Sequence, residues 1–131
     1  MAKESETHKR LRKKLESKNS KPVVKSNSDA QKILVMSQRN NEECARLRFV
    51  SKNEEAFLIG QKALVNFRKA YNVKESEKIP NTENDELLSC IYANLGMAKL
   101  NISPEIALIN FNLAHEYGPN DLDIIQKQWL I

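Results

Sequence analysis

Residues 54–71, Glu54-Glu-Ala-Phe-Leu-Ile-Gly-Gln-Lys-Ala-Leu-Val-Asn-Phe-Arg-Lys-Ala-Tyr71, decide the fold class. Ala56, Ile59, Gly60, Ala63, Phe67, Ala70 and Tyr71 recur at spacings of three and four. All seven therefore share one stripe of an α-helix, with Lys62, Arg68 and Lys69 elsewhere on the cylinder. Punctuation of the same kind extends in both directions. Upstream, Ser28 and Gln31 form a capping box, and Ala30, Ile33, Leu34, Ser37, Asn41, Cys44 and Ala45 follow with helical spacing. The polar stretch from Ser37 to Glu43 is where that helix is expected to bend or break. Ser51 and Glu54 read as a second box.

Downstream, a polar loop from about Val73 to Asn81 precedes a third box, Thr82 with Asp85, and a helix carrying Leu87, Leu88, Ile91, Leu95 and Ala98. Ser103 as N-cap and Pro104 at the first helical position open a fourth helix, which Gly118-Pro119 stops. Asn120 or Asp121 then caps a short terminal helix ending Trp129-Leu130-Ile131. Only three glycines and four prolines occur in 131 residues, too few for a turn-dense β-sandwich or a glycine-rich nucleotide loop. The length also excludes an enzyme with separate cofactor and substrate domains.

The two hairpins so defined repeat weakly at an offset of 51. Cys44-Ala45-Arg46-Leu47-Arg48-Phe49 lies over Leu95-Gly96-Met97-Ala98-Lys99-Leu100, and Glu54, Ala56 and Ala63 lie over Glu105, Ala107 and Ala114. Here the chain resembles the tetratricopeptide repeat family, whose roughly 34-residue unit is a helix hairpin with a small-residue seam. Tyr92-x-x-Leu95-Gly96 is similar to the family's first helix, and Ala107-x-x-x-Phe111, Ala114 and Pro119 to its second. Lys99 stands where the family has Tyr, and the first unit lacks the aromatic and the Gly. The resemblance implies an all-α fold of two antiparallel hairpins with a C-terminal capping helix, covering residues 28–131 after an arm of residues 1–27. It also implies a concave groove showing Cys90, Ala93, Met97, Leu100 and Asn101, without the cationic clamp used in the family for acidic peptide ends. Two repeats are fewer than such arrays need for independent stability, so the body is expected to dock on something.

Charge divides the chain. Residues 1–32 carry ten Lys and Arg against four acids, giving +6, and residues 33–131 carry eleven against thirteen, giving −2. Lys9, Arg10, Arg12, Lys13, Lys14, Lys18, Lys21 and Lys25 are spaced among few apolar residues, so the arm is expected to be disordered when free. Its natural partner is anionic. With no aromatic before Phe49 to stack on bases, it would contact RNA phosphates. A nuclear-import signal or a solvated tail is the competing reading. Leu11 and Leu15 stand one turn apart but lack the aromatic anchors of a membrane-surface helix.

No catalytic constellation is visible. His8, His115, Cys44 and Cys90 lack metal-ligand spacing, so neither a metal nor another cofactor is expected. Acid pairs Glu42-Glu43, Glu54-Glu55 and Asp85-Glu86 sit at helix starts or on polar faces. The expectation is a non-enzymatic, cytoplasmic protein binding an RNA particle, foremost the ribosome, through rRNA and ribosomal proteins, as a structural, assembly or dormancy (hibernation) factor. A nuclear or nucleolar location is the variant of that expectation. The alternative is a tetratricopeptide-type adaptor between proteins. Neither a membrane nor a small-molecule substrate is expected.

Overall fold

A computed structural model describes residues 27–118. They form four α-helices and no strand: α1 Ser28–Phe49, α2 Asn53–Ala70, α3 Asp85–Lys99 and α4 Pro104–Tyr117. The basic arm and the terminal helix expected after Asn120 lie outside the described residues. Connections of residues 50–52 and 100–103 are too short for anything but antiparallel hairpins, α1 with α2 and α3 with α4. The stripe of α2 is buried as read, with Ala56, Gly60, Ala63, Phe67 and Ala70 inside and Phe67 wholly so.

The polar stretch of α1 does not break the helix, which is continuous from Ser28 to Phe49, and its side chains find partners across the interfaces. Ser37 Oγ donates to the Ala63 carbonyl at 2.7 Å. Asn40 accepts from Asn66 and Asn41 from Asn94, each at 2.8 Å. The second hairpin repeats the first of these bonds: Ser89 Oγ donates to the Ala114 carbonyl, again at 2.7 Å. Each is a short side-chain-to-backbone bond that pins one helix onto the next at a fixed height.

These anchors correct the register of the repeat. Ser37 and Ser89 are 52 residues apart, whereas Ala63 and Ala114 are 51 apart, so the first helices superimpose one residue away from the sequence alignment. Cys44 then matches Gly96, not Leu95. In the first hairpin the small residue is on the second helix, where Gly60 lies against Cys44. In the second hairpin it is on the first helix, where Gly96 lies against Phe111 and the Ala107 carbonyl. The close approach is kept, and the residue that permits it has changed sides.

Three caps differ from the sequence reading. The N-cap of α1 is Asn27, whose Oδ1 accepts from the Ala30 amide at 2.8 Å, not Ser28. Ser51 opens no capping box; it ends α1 instead, with positive φ of 62° and bonds from Ser51 N to Arg48 O and from Lys52 N to Leu47 O. This left-handed termination recurs after α2, where Asn72 has φ of 54°. The third box forms by half: Asp85 accepts from the Thr82 amide at 2.8 Å, but Thr82 Oγ1 accepts from the Asn84 amide at 3.0 Å instead of from Asp85, and the N-cap of α3 is Asn84, without a side-chain cap bond. Ser103 caps α4 by position without a side-chain bond, and Pro104 follows it.

α3 is the centre of the body. It packs on α1, α2 and α4, while α4 packs on α3 alone among the described helices. The connection from α2 to α3 is tied down at three points. Arg68 donates to the carbonyls of Lys74 and Glu77 at 2.7 and 2.6 Å. The Tyr117 hydroxyl donates to the Ile79 carbonyl at 2.5 Å, and Asn84 Nδ2 donates to the Tyr71 hydroxyl at 2.8 Å. Ile79 and Thr82 are buried as a result. The core over which these elements close is Phe67, Leu88, Ile91 and Leu95, with the Tyr92 and Tyr117 rings stacked 6.0 Å apart beside it.

Candidate functional site between the first and third helices

α1 and α3 lie side by side and run parallel: Gln38 and Glu42 share a cleft with Glu86 and Cys90, and the later Arg48 meets the later Asn94. Their seam is polar. Arg48 Nη1 donates to Asn94 Oδ1 at 2.9 Å, and Asn94 Nδ2 donates to Asn41 Oδ1 at 2.8 Å and stands 3.9 Å from Cys90 Sγ. Asn94 is 1% exposed and Asn41 6%. A buried amide in this position is tolerable only because both ends of it are matched.

Toward the start of α3 the seam opens into a cleft of about 420 Å³. Gln38, Asn41 and Glu42 line it from α1, Glu83 and Asn84 from the connection, and Glu86, Leu87 and Cys90 from α3. Its lining has three carboxylates and no Lys or Arg, so a peptide ending in a carboxylate would enter against its charge. A polar or cationic segment fits it better.

Of the residues expected in the groove, only Cys90 lines this cleft. Ala93 is 1% exposed and reaches no surface, which removes it from any binding face. The reason is that α1 lies against this part of α3, with Asn41 and Arg48 both meeting Asn94 one position further on. Met97 is half-buried, and Leu100 and Asn101 are exposed in the turn before α4. The arm residues expected to meet phosphates, Lys9, Arg10, Arg12, Lys13, Lys14, Lys18, Lys21 and Lys25, lie outside the described residues. The sequence reading missed Gln38, Glu42, Glu83 and Glu86. The signal for Gln38 and Glu42 was the row of polar positions in α1, taken there for a weak point in a helix.

The thiols are held in the protonated state. Burial pushes Cys90 up, against the opposing pull of an Asn41 hydrogen bond and the Arg48 charge. Cys44, wholly buried against Gly60, is pushed to about 11 by burial. The same desolvation lowers the Arg48 guanidinium. Neither thiol is a ready nucleophile at neutral pH. The acid pairs are occupied by other work: Glu43 bonds Arg46, which draws its carboxyl below the usual range, Asp85 accepts from the Thr82 amide, and Glu54 and Glu55 lie in the first turn of α2. Among the described residues no group of three His, Cys, Asp or Glu is placed to hold a metal ion, and no helix is long and apolar enough to cross a membrane.

A pH dependence follows from Cys44 and Tyr117, whose phenol burial pushes up to about 12. Raised values mean that the folded state keeps these protons while the unfolded chain releases them near pH about 8.5 and about 10. The stabilisation is complete below those values and is lost as pH rises through about 11 and 12. Urea midpoints should therefore fall from pH about 9 upward, with Cys44 supplying about 1.4 kcal/mol per pH unit. Cys44→Ala should flatten the first part of that decline.

No family model, curated protein or solved structure matches the chain.

Proposed function

We propose that this chain is a non-enzymatic binding protein of an RNA-containing particle, with the ribosome the foremost candidate. In this reading the basic arm lies along rRNA phosphates while the helical body docks on neighbouring protein, in a structural, assembly or dormancy role in the cytoplasm. The observation that carries it is the partition of charge, +6 in residues 1–32 against −2 in the remainder. A cationic segment with so little to bury serves an anionic partner, and phosphates are the densest such partner. The body supports the division of labour, because the polar cleft between α1 and α3 is lined by carboxylates and is unsuited to RNA.

Sedimentation of extract tests the reading. The protein should travel with ribosomal particles at low salt and leave them as salt rises, since each phosphate contact releases a counterion. Replacing Arg10, Arg12, Lys13 and Lys14 together with Gln should lower the salt slope of binding by about two to four units. An unchanged slope removes the arm as the anchor.

A second reading, an adaptor of the tetratricopeptide kind, is favoured by the cleft between α1 and α3. Under it, a chain lacking residues 1–27 keeps its partner in a pull-down; under the first, it loses most of its affinity.

A further inference from the structure

The largest concentration of exposed apolar side chains lies on α4 and the turn before it. Ile102 is 54% exposed, Ile106 40%, Leu108 60% and Ile109 60%. Within α4, Ile106, Ile109 and the half-buried Leu113, which also packs against the core, follow at spacings of three and four, and Ile102 in the preceding turn extends the apolar face, a seam pattern by which one helix receives another apolar segment. No Lys or Arg occurs between residues 104 and 117, and Glu105 and Glu116 border the seam. Among the described residues, Lys78 is bonded to Glu116 there. A second copy of α4 would place acid against acid, so the face calls for an occupant with apolar residues one turn apart and cations around them.

The chain contains such a segment. Residues 9–15, Lys-Arg-Leu-Arg-Lys-Lys-Leu, set Leu11 and Leu15 among five cations. The position of the arm also suits it. The described chain begins at Asn27, on the N-terminal end of α1, and because α4 runs antiparallel to α3, Leu113 and Glu116 lie at that same end. Only α3 stands between α1 and α4, a separation of roughly 20 Å at helix spacings of 8–10 Å. A coil of the length of residues 16–26 has a root-mean-square reach of roughly 17–20 Å. A matched reach gives the highest effective concentration, on the order of millimolar, so a contact of two leucines and a few charges is enough to be populated.

We infer that, when no RNA holds it, the arm folds back and seats Leu11 and Leu15 on the Ile102–Ile106–Ile109–Leu113 seam of α4. The inference rests on the arm being the RNA-binding element, and it makes the body a competitor for its own arm. RNA binding then has to displace this contact, which lowers the apparent affinity for RNA by the factor that the docked fraction sets.

The test is limited trypsin digestion of the full chain, following by mass spectrometry the first cuts after Lys9, Arg10, Arg12, Lys13 and Lys14. Ile106→Ser with Ile109→Ser should speed those cuts about three- to tenfold over the parent, the fraction of time the arm is docked setting the factor. Leu11→Ser with Leu15→Ser, changes outside the body, should do the same once each chain is normalised to its free peptide 1–27. Equal rates in parent and variants overturn the inference. So does protection that fades on dilution, because the arm is then seated on a second copy. Binding to a short RNA duplex separates the two readings: the α4 variant should bind more tightly by the same factor. If the cutting difference stands while neither protein binds RNA, the docking holds and the RNA assignment falls.

Discussion

Gly96→Val is expected to destabilise the body by about 3 kcal/mol or more, read as a lower urea midpoint with an unchanged slope. A Cβ at this position would lie 2.8 and 2.9 Å from two ring atoms of Phe111 and 3.1 Å from the Ala107 carbonyl. Backbone cannot yield as a side chain does, and the Ser89 bond to Ala114 holds the two helices at this distance. The gain in helix propensity over glycine, about 0.5 kcal/mol, offsets little of this. Gly60 is the contrast: the atom nearest its Cβ would be Leu95 Cδ2 at 2.6 Å, the tip of a side chain that can turn away, so Gly60→Ala should cost much less. Truncating Phe111 alongside Gly96→Val should return part of the loss. A double-variant cycle with zero coupling would show that the ring is not the obstacle.

Asn94→Leu should cost about 2–4 kcal/mol although the two side chains are of similar volume. It takes an acceptor from the half-buried Arg48 and a donor from Asn41, which is buried. A core position would tolerate Leu; a seam between two parallel helices, with a guanidinium beside it, does not. Asn94→Asp keeps the acceptor and should be milder. The arginine would depress the new carboxyl in the folded state, so its contribution is present above the ordinary carboxylate range and is lost as pH falls through it. Thermal or urea melts of the two variants at neutral and acid pH separate these outcomes.

What could be read from the sequence, and what could not, divides along physical lines. The stripe of α2 was legible because burial there is made of apolar and small residues alone. The Ser37 to Glu43 stretch was misread because polarity was taken for exposure, when Ser37 and Asn41 are among the most buried residues of α1. A single sequence shows which groups can bond, not whether a partner 26 or 53 positions away will arrive. The cap signals show the same limit. Of the Thr82 and Asp85 box only the Asp85 half forms, with Asn84 as the N-cap, while Asn27 competes with Ser28, and Ser51 is claimed by the end of one helix before it can begin the next. The candidate cleft was placed too far along α3 because the register came from one unit alone. Asn94 closes the seam where Ala93 was expected to line a groove.

The position of α3, touched by every other described helix, sets how the body comes apart as well as how it holds together. Opening free energies differ from one element to another, and a unit with a single neighbour can detach without the rest. α4 is that unit. Its departure breaks the Ser89 and Tyr117 hydrogen bonds and the stacking of Tyr92 on Tyr117 while leaving the packing of α1, α2 and α3 on one another intact. Amide protons of α4 therefore exchange with solvent through a partial opening, and those in the middle of α3 persist until global unfolding. The second hairpin is the body's hinge in time rather than in space: its outer helix is the first to leave and, on refolding, the last to seat.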